Sequence, residues 1–307
     1  MQKRVREGRR VAIIGGLATA GAALALAVNN VAVPFTYAHG ANAQSVVLLR
    51  YVFAILAIAA TLAATGIGFR MPRDRMWHAF GSGLATAIGS LGLLGSYAYI
   101  PVSLAIVVVY TYPILTSVMQ SVLERRPPGL VEIAALVVAL AGVTLAIGPG
   151  EWRPEPIGLL LAAVGAIGFA GSFVWNGAAL RGIESTISSF YMSIAGLVAL
   201  AGAVAFSGSY AMPGASPVGW GAFLVCAVGF TLAFFGMFKG VELIGGAPAA
   251  MIMNLEPILT ITFAILFIGE TLTPARACGG ALVIGAVAVS QMLGRDGRVT
   301  AQPGATP

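Results

Sequence analysis

Long apolar runs alternate with short polar breaks along the whole chain. A hydrocarbon core of about 30 Å needs roughly 20 apolar residues at a rise of about 1.5 Å each. Runs of that length fall near 11–33, 43–65, 76–97, 102–123, 130–148, 156–178, 187–207, 217–239, 247–268 and 274–293. The pattern predicts ten membrane-spanning helices. The breaks hold turn formers: Met71-Pro72, Pro127-Pro128-Gly129, Gly148-Pro149-Gly150, Gly245-Gly246 and Pro274. The two-residue alternation of a lipid-facing barrel strand is absent, so the expected class is an all-α integral membrane protein. Residues 1–10 read as a basic N-terminal segment, 149–155 as a linker between halves, and 294–307 as a short disordered tail.

Composition sharpens this reading. Apolar residues make up 58% of the chain and charged residues 9%, whereas a soluble domain carries roughly a quarter charged residues. That excludes a soluble enzyme and a disordered chain. The cysteines, Cys226 and Cys278, sit in apolar runs and are too few to staple a scaffold. The net charge of +6 does not indicate nucleic acid, because the basic residues form no aromatic-interleaved patch and gather at the ends of apolar runs. With the N-terminus inside, cytoplasmic segments hold fourteen Lys and Arg and outer segments hold two, Arg153 and Arg276; Arg50 lies within a span. Both termini are therefore expected in the cytoplasm, in a bacterial inner membrane. Residues 1–43 imitate a signal peptide ending at Ala41-Asn42-Ala43. The first span is nevertheless expected to be retained, because the internal repeat requires it.

The repeat appears when the chain is slid against itself by 144 residues. Gly92 meets Gly236, Ile100 meets Ile244, Ala105 meets Ala249, and Pro113-Ile114-Leu115-Thr116 meets Pro257-Ile258-Leu259-Thr260. After an insertion of two residues Glu124 meets Glu270, and Leu136-Val137-Val138 meets Leu282-Val283-Ile284. Each half, 11–148 and 156–293, holds five spans. Five is odd, so the second half must cross the membrane in the opposite sense to the first. Such inverted repeats accompany alternating access, with the solute site near the midplane between the halves.

The motifs in this frame are Leu49-Arg50-Tyr51 in span two, Pro113 and Glu124 in span four, and Leu255-Glu256-Pro257 with Gly269-Glu270 around span nine. On these, over nearly all of 11–293, the chain resembles the drug/metabolite transporter superfamily, EamA type. Where such proteins often carry Trp-Gly in span one, this chain reads Ala27-Val28-Asn29-Asn30. The resemblance implies secondary transport, commonly export of amino acids, related metabolites or toxic compounds, without ATP hydrolysis or a cofactor. Consistently, no Gly-x-x-x-x-Gly-Lys-Ser/Thr motif is present.

Ionisable groups at membrane depth are costly and are by default candidates for function. Arg50 and Glu256 are the two well inside spans. They can form a structural ion pair or a gate. Alternatively, Glu256 carries a coupling proton, Arg50 holds a substrate carboxylate, or both are packing devices. Pro257 cannot donate to the carbonyl of Met253, nor Pro113 to that of Val109, so spans nine and four are expected to kink at matched positions. The freed carbonyls need partners. Around these kinks the candidate substrate contacts are Asn29, Asn30, Arg50, Tyr110, Tyr112, Trp175, Asn176 and Asn254. Trp175 also reads as an interface anchor. His39 and His78 lack metal-ligand neighbours, so no metal is expected. Glu124 and Glu270 are expected to fix local loop structure. The leading expectation is a proton-coupled or exchanging exporter of small metabolites. The alternatives are a multidrug or toxic-cation exporter of the same fold and a passive facilitator or channel. A scaffold and a membrane enzyme find no supporting feature.

Overall fold

In the computed structural model the described residues are 2–125, 127–147, 155–179, 185–244 and 246–293. Of the linker expected at 149–155 only Glu155 is among them, and the tail 294–307 lies outside them. The chain runs α1 (Gln2–Ala38), α2 (Ala43–Thr65), α3 (Arg73–Ser96), α4 (Val102–Val109), α5 (Tyr112–Leu123), α6 (Leu130–Ile147) and α7 (Pro156–Ala179). It continues through α8 (Ser185–Ser207), α9 (Pro217–Ile244), α10 (Gly246–Met253), α11 (Leu255–Phe263) and α12 (Pro274–Leu293). A wider π-helical turn, Ala264–Ile268, extends α11. Among the described residues these helices supply ten stretches long and apolar enough to cross a membrane. Proline opens several of them. Pro156, Pro217 and Pro274 are first residues, and Pro72 and Pro101 immediately precede α3 and α4, positions where a missing N–H leaves no bond unmade.

The helices differ from the expected spans in two respects. The first outruns 11–33, being apolar enough to span from Arg10 to Ala38. Spans four and nine are not bent single helices but pairs, α4 with α5 and α10 with α11. Span four breaks at Tyr110 and Thr111, just ahead of Pro113; span nine breaks at Asn254, three residues ahead of Pro257.

Exchanging the two halves maps α1 onto α7, α2 onto α8, α3 onto α9, α4–α5 onto α10–α11, and α6 onto α12. The principal helix contacts map onto one another under that exchange. The α1–α9 contact corresponds to α7–α3, and α3–α8 corresponds to α9–α2, while α2–α8 and α6–α12 each correspond to themselves. The architecture is two inverted five-helix repeats. Glycine permits the closest of these contacts. A Cβ on Gly92 of α3 would lie 2.6 Å from both the Leu161 carbonyl oxygen and the Gly165 nitrogen of α7. Its mate, Gly236 of α9, meets the Ala18 carbonyl of α1 at the same 2.6 Å. In lipid, where apolar burial drives little association, such backbone approach is a principal source of helix cohesion. At the centre, every residue of α4 is buried.

Candidate functional site

The two helix breaks bring polar groups from both halves together. Glu256, at the start of α11, belongs to the second half. Its Oε1 accepts a hydrogen bond from Asn30 Nδ2 of α1 at 3.2 Å, and its Oε2 accepts from the Tyr110 hydroxyl at 2.9 Å. Both donors come from the first half. The same Tyr110 hydroxyl lies 3.2 Å from the carbonyl oxygen of Met253. That is the acceptor which Pro257, lacking an N–H, leaves free. Tyr110 therefore has one hydrogen and two acceptors.

Asn29 and Asn30 are both buried and linked, Asn29 Nδ2 donating to Asn30 Oδ1 at 3.2 Å. The Oδ1 of Asn29 has no hydrogen-bond partner. Tyr110 packs edge-on against Tyr112, with centroids 5.8 Å apart. Tyr112 in turn stacks on Phe173 of α7 at 5.4 Å and 14°. At the 144-residue offset Tyr112 is the mate of Glu256, and Phe173 is the mate of Asn29. The inverted halves thus place a carboxylate and amides at one contact, α1 with α11, and stacked rings at its counterpart, α7 with α5.

Arg50 occupies a separate place beside this cluster. It is 4% exposed. It forms no ion pair with Glu256, whose oxygens are taken by Asn30 and Tyr110, so the direct pair considered from sequence is not formed. Its guanidinium carbon sits 5.5 Å over the ring of Phe230 of α9. Its Nε and Nη2 have no hydrogen-bond partner. Its ionisable neighbours include Cys226, whose thiol is against the guanidinium, with Tyr97, Tyr37, Tyr51 and, without direct pairing, Glu256.

Other sequence candidates lie elsewhere. Asn254, in the turn between α10 and α11, donates from Nδ2 to Gln291 Oε1 of α12 at 3.1 Å, away from Glu256. Trp175 is 43% exposed and donates to His78 Nδ1 of α3 at 3.1 Å. It has the setting of an interface anchor. The side chain of Asn176 lies outside the described residues. Among the described residues no His, Cys, Asp or Glu cluster could hold a metal ion.

Glu270 has a local structural task. The left-handed Gly269 (φ 76°) turns the chain after the π-helical turn. The Glu270 carboxylate then accepts from the N–H groups of Val102 (2.6 Å) and Ser103 (3.2 Å). These are first-turn donors of α4, which lack partners within their own helix. A carboxylate there also meets the positive end of the helix dipole.

Three features lie outside the sequence candidates. Glu132 of α6 is buried and accepts from Ser117, Ser121 and the Gly129 N–H. Its signal was the Gly129-Leu-Val-Glu132 spacing, with a carboxylate reaching back to the helix start. Tyr97, whose buried hydroxyl has no partner, and Phe230, over Arg50, gave no signal because nothing local marks which aromatic ring faces inward.

The EamA-like transporter family model matches residues 13–148 and again 156–292, one match for each half. Among curated proteins, an uncharacterized transporter, sll1319 of Synechocystis, is 27% identical over 231 residues, covering 71% of this chain and 67% of its own length. The uncharacterized transporter YcbK of Bacillus subtilis is 25% identical over 226 residues, covering 68% of this chain and 70% of its own. A solved crystal structure superposes with a TM-score of 0.62 at 19% identity, covering 92% of this chain and 98% of the other, and shows the shared fold.

Proposed function

Because the chain belongs to the EamA-like transporter family, we propose that it is a secondary active exporter of small metabolites, amino acids or related compounds. It works by alternating access, with Glu256 carrying the coupling proton. The orientation it adopts has both termini in the cytoplasm of a bacterial inner membrane, following the bias of basic residues.

The observation that carries this reading is the Tyr110 hydroxyl between Glu256 and the Met253 carbonyl. Consider the two protonation states. When Glu256 is a carboxylate, Tyr110 donates to it and the Met253 carbonyl keeps no donor from Tyr110. When Glu256 is protonated, its own O–H can donate to the Tyr110 oxygen, and Tyr110 turns its hydrogen to Met253. The proton therefore decides whether the open carbonyl at the span-nine break is satisfied. An unsatisfied buried carbonyl costs about 1–3 kcal/mol, enough to bias an equilibrium between two conformations by about five- to 150-fold. Since Asn30 and Tyr110 belong to the other half, the same proton also sets how tightly the halves are joined.

The test is transport in proteoliposomes with a panel of labelled amino acids, with and without an imposed pH gradient. Gradient-driven uptake by the wild-type protein, lost in Glu256→Gln while counterflow exchange persists, is the expected outcome. Gradient-driven uptake that survives in Glu256→Gln would show that the proton travels elsewhere. Ohmic flux without counterflow would replace the exporter with a facilitator.

A further inference from the structure

The buried edge of Arg50 is the feature for which the protein itself supplies no partner. A guanidinium carries its N–H bonds in a fixed planar fork. Nε–H and one Nη2–H lie side by side along one edge, pointing the same way. These are the two nitrogens of Arg50 that have no hydrogen-bond partner. One face of the same group is covered by Phe230, and the donors without partners lie along the edge. Arg50 is 4% exposed, so water does not freely solvate that edge, and Glu256 is committed to Asn30 and Tyr110. A second donor lies within electrostatic range of it. Tyr97 is an ionisable neighbour of Arg50, is 8% exposed, and its hydroxyl has no partner.

Two parallel N–H bonds match the two oxygens of one carboxylate. A single positive charge is neutralised by one negative charge, so a carboxylate balances it where a phosphate dianion would leave a buried excess. A halide offers one acceptor atom to the two bonds. We propose that the unpartnered edge of Arg50, with the Tyr97 hydroxyl as a third donor, is a subsite for the carboxylate of the transported solute. This rests on the transporter reading and adds to it the chemical class of the group that is recognised. Functional sites commonly keep such partnerless buried donors at a cost in stability.

The purified full chain in detergent is titrated with sodium acetate and sodium benzoate, and separately with acetamide, benzamide and sodium chloride at matched ionic strength, while its melting temperature is followed. A ligand that prefers the folded state raises that temperature saturably. The expected result is a saturable rise with each carboxylate and none with the amides or chloride. Arg50→Met should lose the rise, Arg50→Lys should bind about ten-fold more weakly because it lacks the fork, and Tyr97→Phe should bind a few-fold more weakly, roughly one hydrogen bond's worth. Without added ligand, Arg50→Met should melt no lower than the wild type, which a purely structural arginine would not allow. A rise retained in Arg50→Met, or reproduced by chloride or by the amides, overturns the proposal. Should Arg50→Met fail to fold, wild-type affinity in both Arg50→Lys and Tyr97→Phe overturns it as well. The measurement needs no membrane gradient. Carboxylate binding without any transport would sink the exporter reading alone, and transport with no Arg50-dependent binding would sink this one alone.

Discussion

Tyr110 and Glu256 meet across the seam between the halves, phenol oxygen to carboxylate oxygen at 2.9 Å, and each sits at the break of its own spanning helix. Removing the hydroxyl takes away the one hydrogen that the Glu256 carboxylate and the Met253 carbonyl share. Polar contacts between membrane helices contribute about 0.5–2 kcal/mol. Tyr110→Phe should lower unfolding stability in detergent by about that amount. A double-mutant cycle with Glu256→Gln should show coupling of about 1 kcal/mol, because the pair shares one network. Additive effects within about 0.3 kcal/mol would mean that the two act independently.

The gross architecture was written in the sequence because lipid imposes a length and a polarity on every crossing. Ten apolar runs and a Pro-Ile-Leu-Thr block repeated at fixed offset are enough to give the inverted halves. Pro113 and Pro257 marked the interrupted helices, since the missing N–H is a local chemical fact. What the sequence could not give was the partner of each buried polar group. Asn29, Asn30 and Asn254 look alike as amides in apolar runs. Rotation about each helix axis sends Asn30 to Glu256 and Asn254 to Gln291. Arg50 and Glu256 looked like a pair because opposite charges in low dielectric attract, but neutral donors reach Glu256 first. Trp175 looked like a cavity ring; its place on the helix leaves it 43% exposed against His78.

The glycine contacts give a paired prediction. Gly92→Ala and Gly236→Ala put a methyl group within 2.6 Å of backbone atoms of the neighbouring helix, α7 in one case and α1 in the other. Overpacking of this kind costs about 1–3 kcal/mol. Because the two positions are mates under exchange of the halves, their costs should be similar. Gly95→Ala is the control: its nearest neighbour would be the flexible end of Leu161 at 3.6 Å. Unfolding in a graded denaturing detergent should rank Gly95→Ala above both others.

Trp175 and Tyr112 separate an anchoring ring from one at the seam. Tyr112 is in the stack with Phe173 and touches Tyr110; Trp175 is bonded to His78. In the proteoliposome assay Trp175→Phe should retain transport within about two-fold, as expected for a residue at the bilayer interface. Tyr112→Ala should reduce transport by about five- to ten-fold, in keeping with an aromatic contact worth about 1–1.5 kcal/mol. Equal losses in both variants would return Trp175 to the site.

Glu270 ties the end of span nine to the start of span four, so its removal should be felt in a helix it does not belong to. Its carboxylate takes the Val102 and Ser103 N–H groups and borders a cavity of about 450 Å³ lined also by Pro101, Thr271 and Arg276. Glu270→Ala removes both acceptors and the favourable charge at the helix end, a loss of about 1–2 kcal/mol. Glu270→Gln keeps one acceptor oxygen and loses the charge, so it should fall between the wild type and alanine. Hydrogen exchange can locate the effect: amides of 102–106 should exchange faster in Glu270→Ala, while those of α12, which begins at Pro274, should be unchanged. Faster exchange confined to α12 would show that Glu270 braces its own loop and not the helix across the seam.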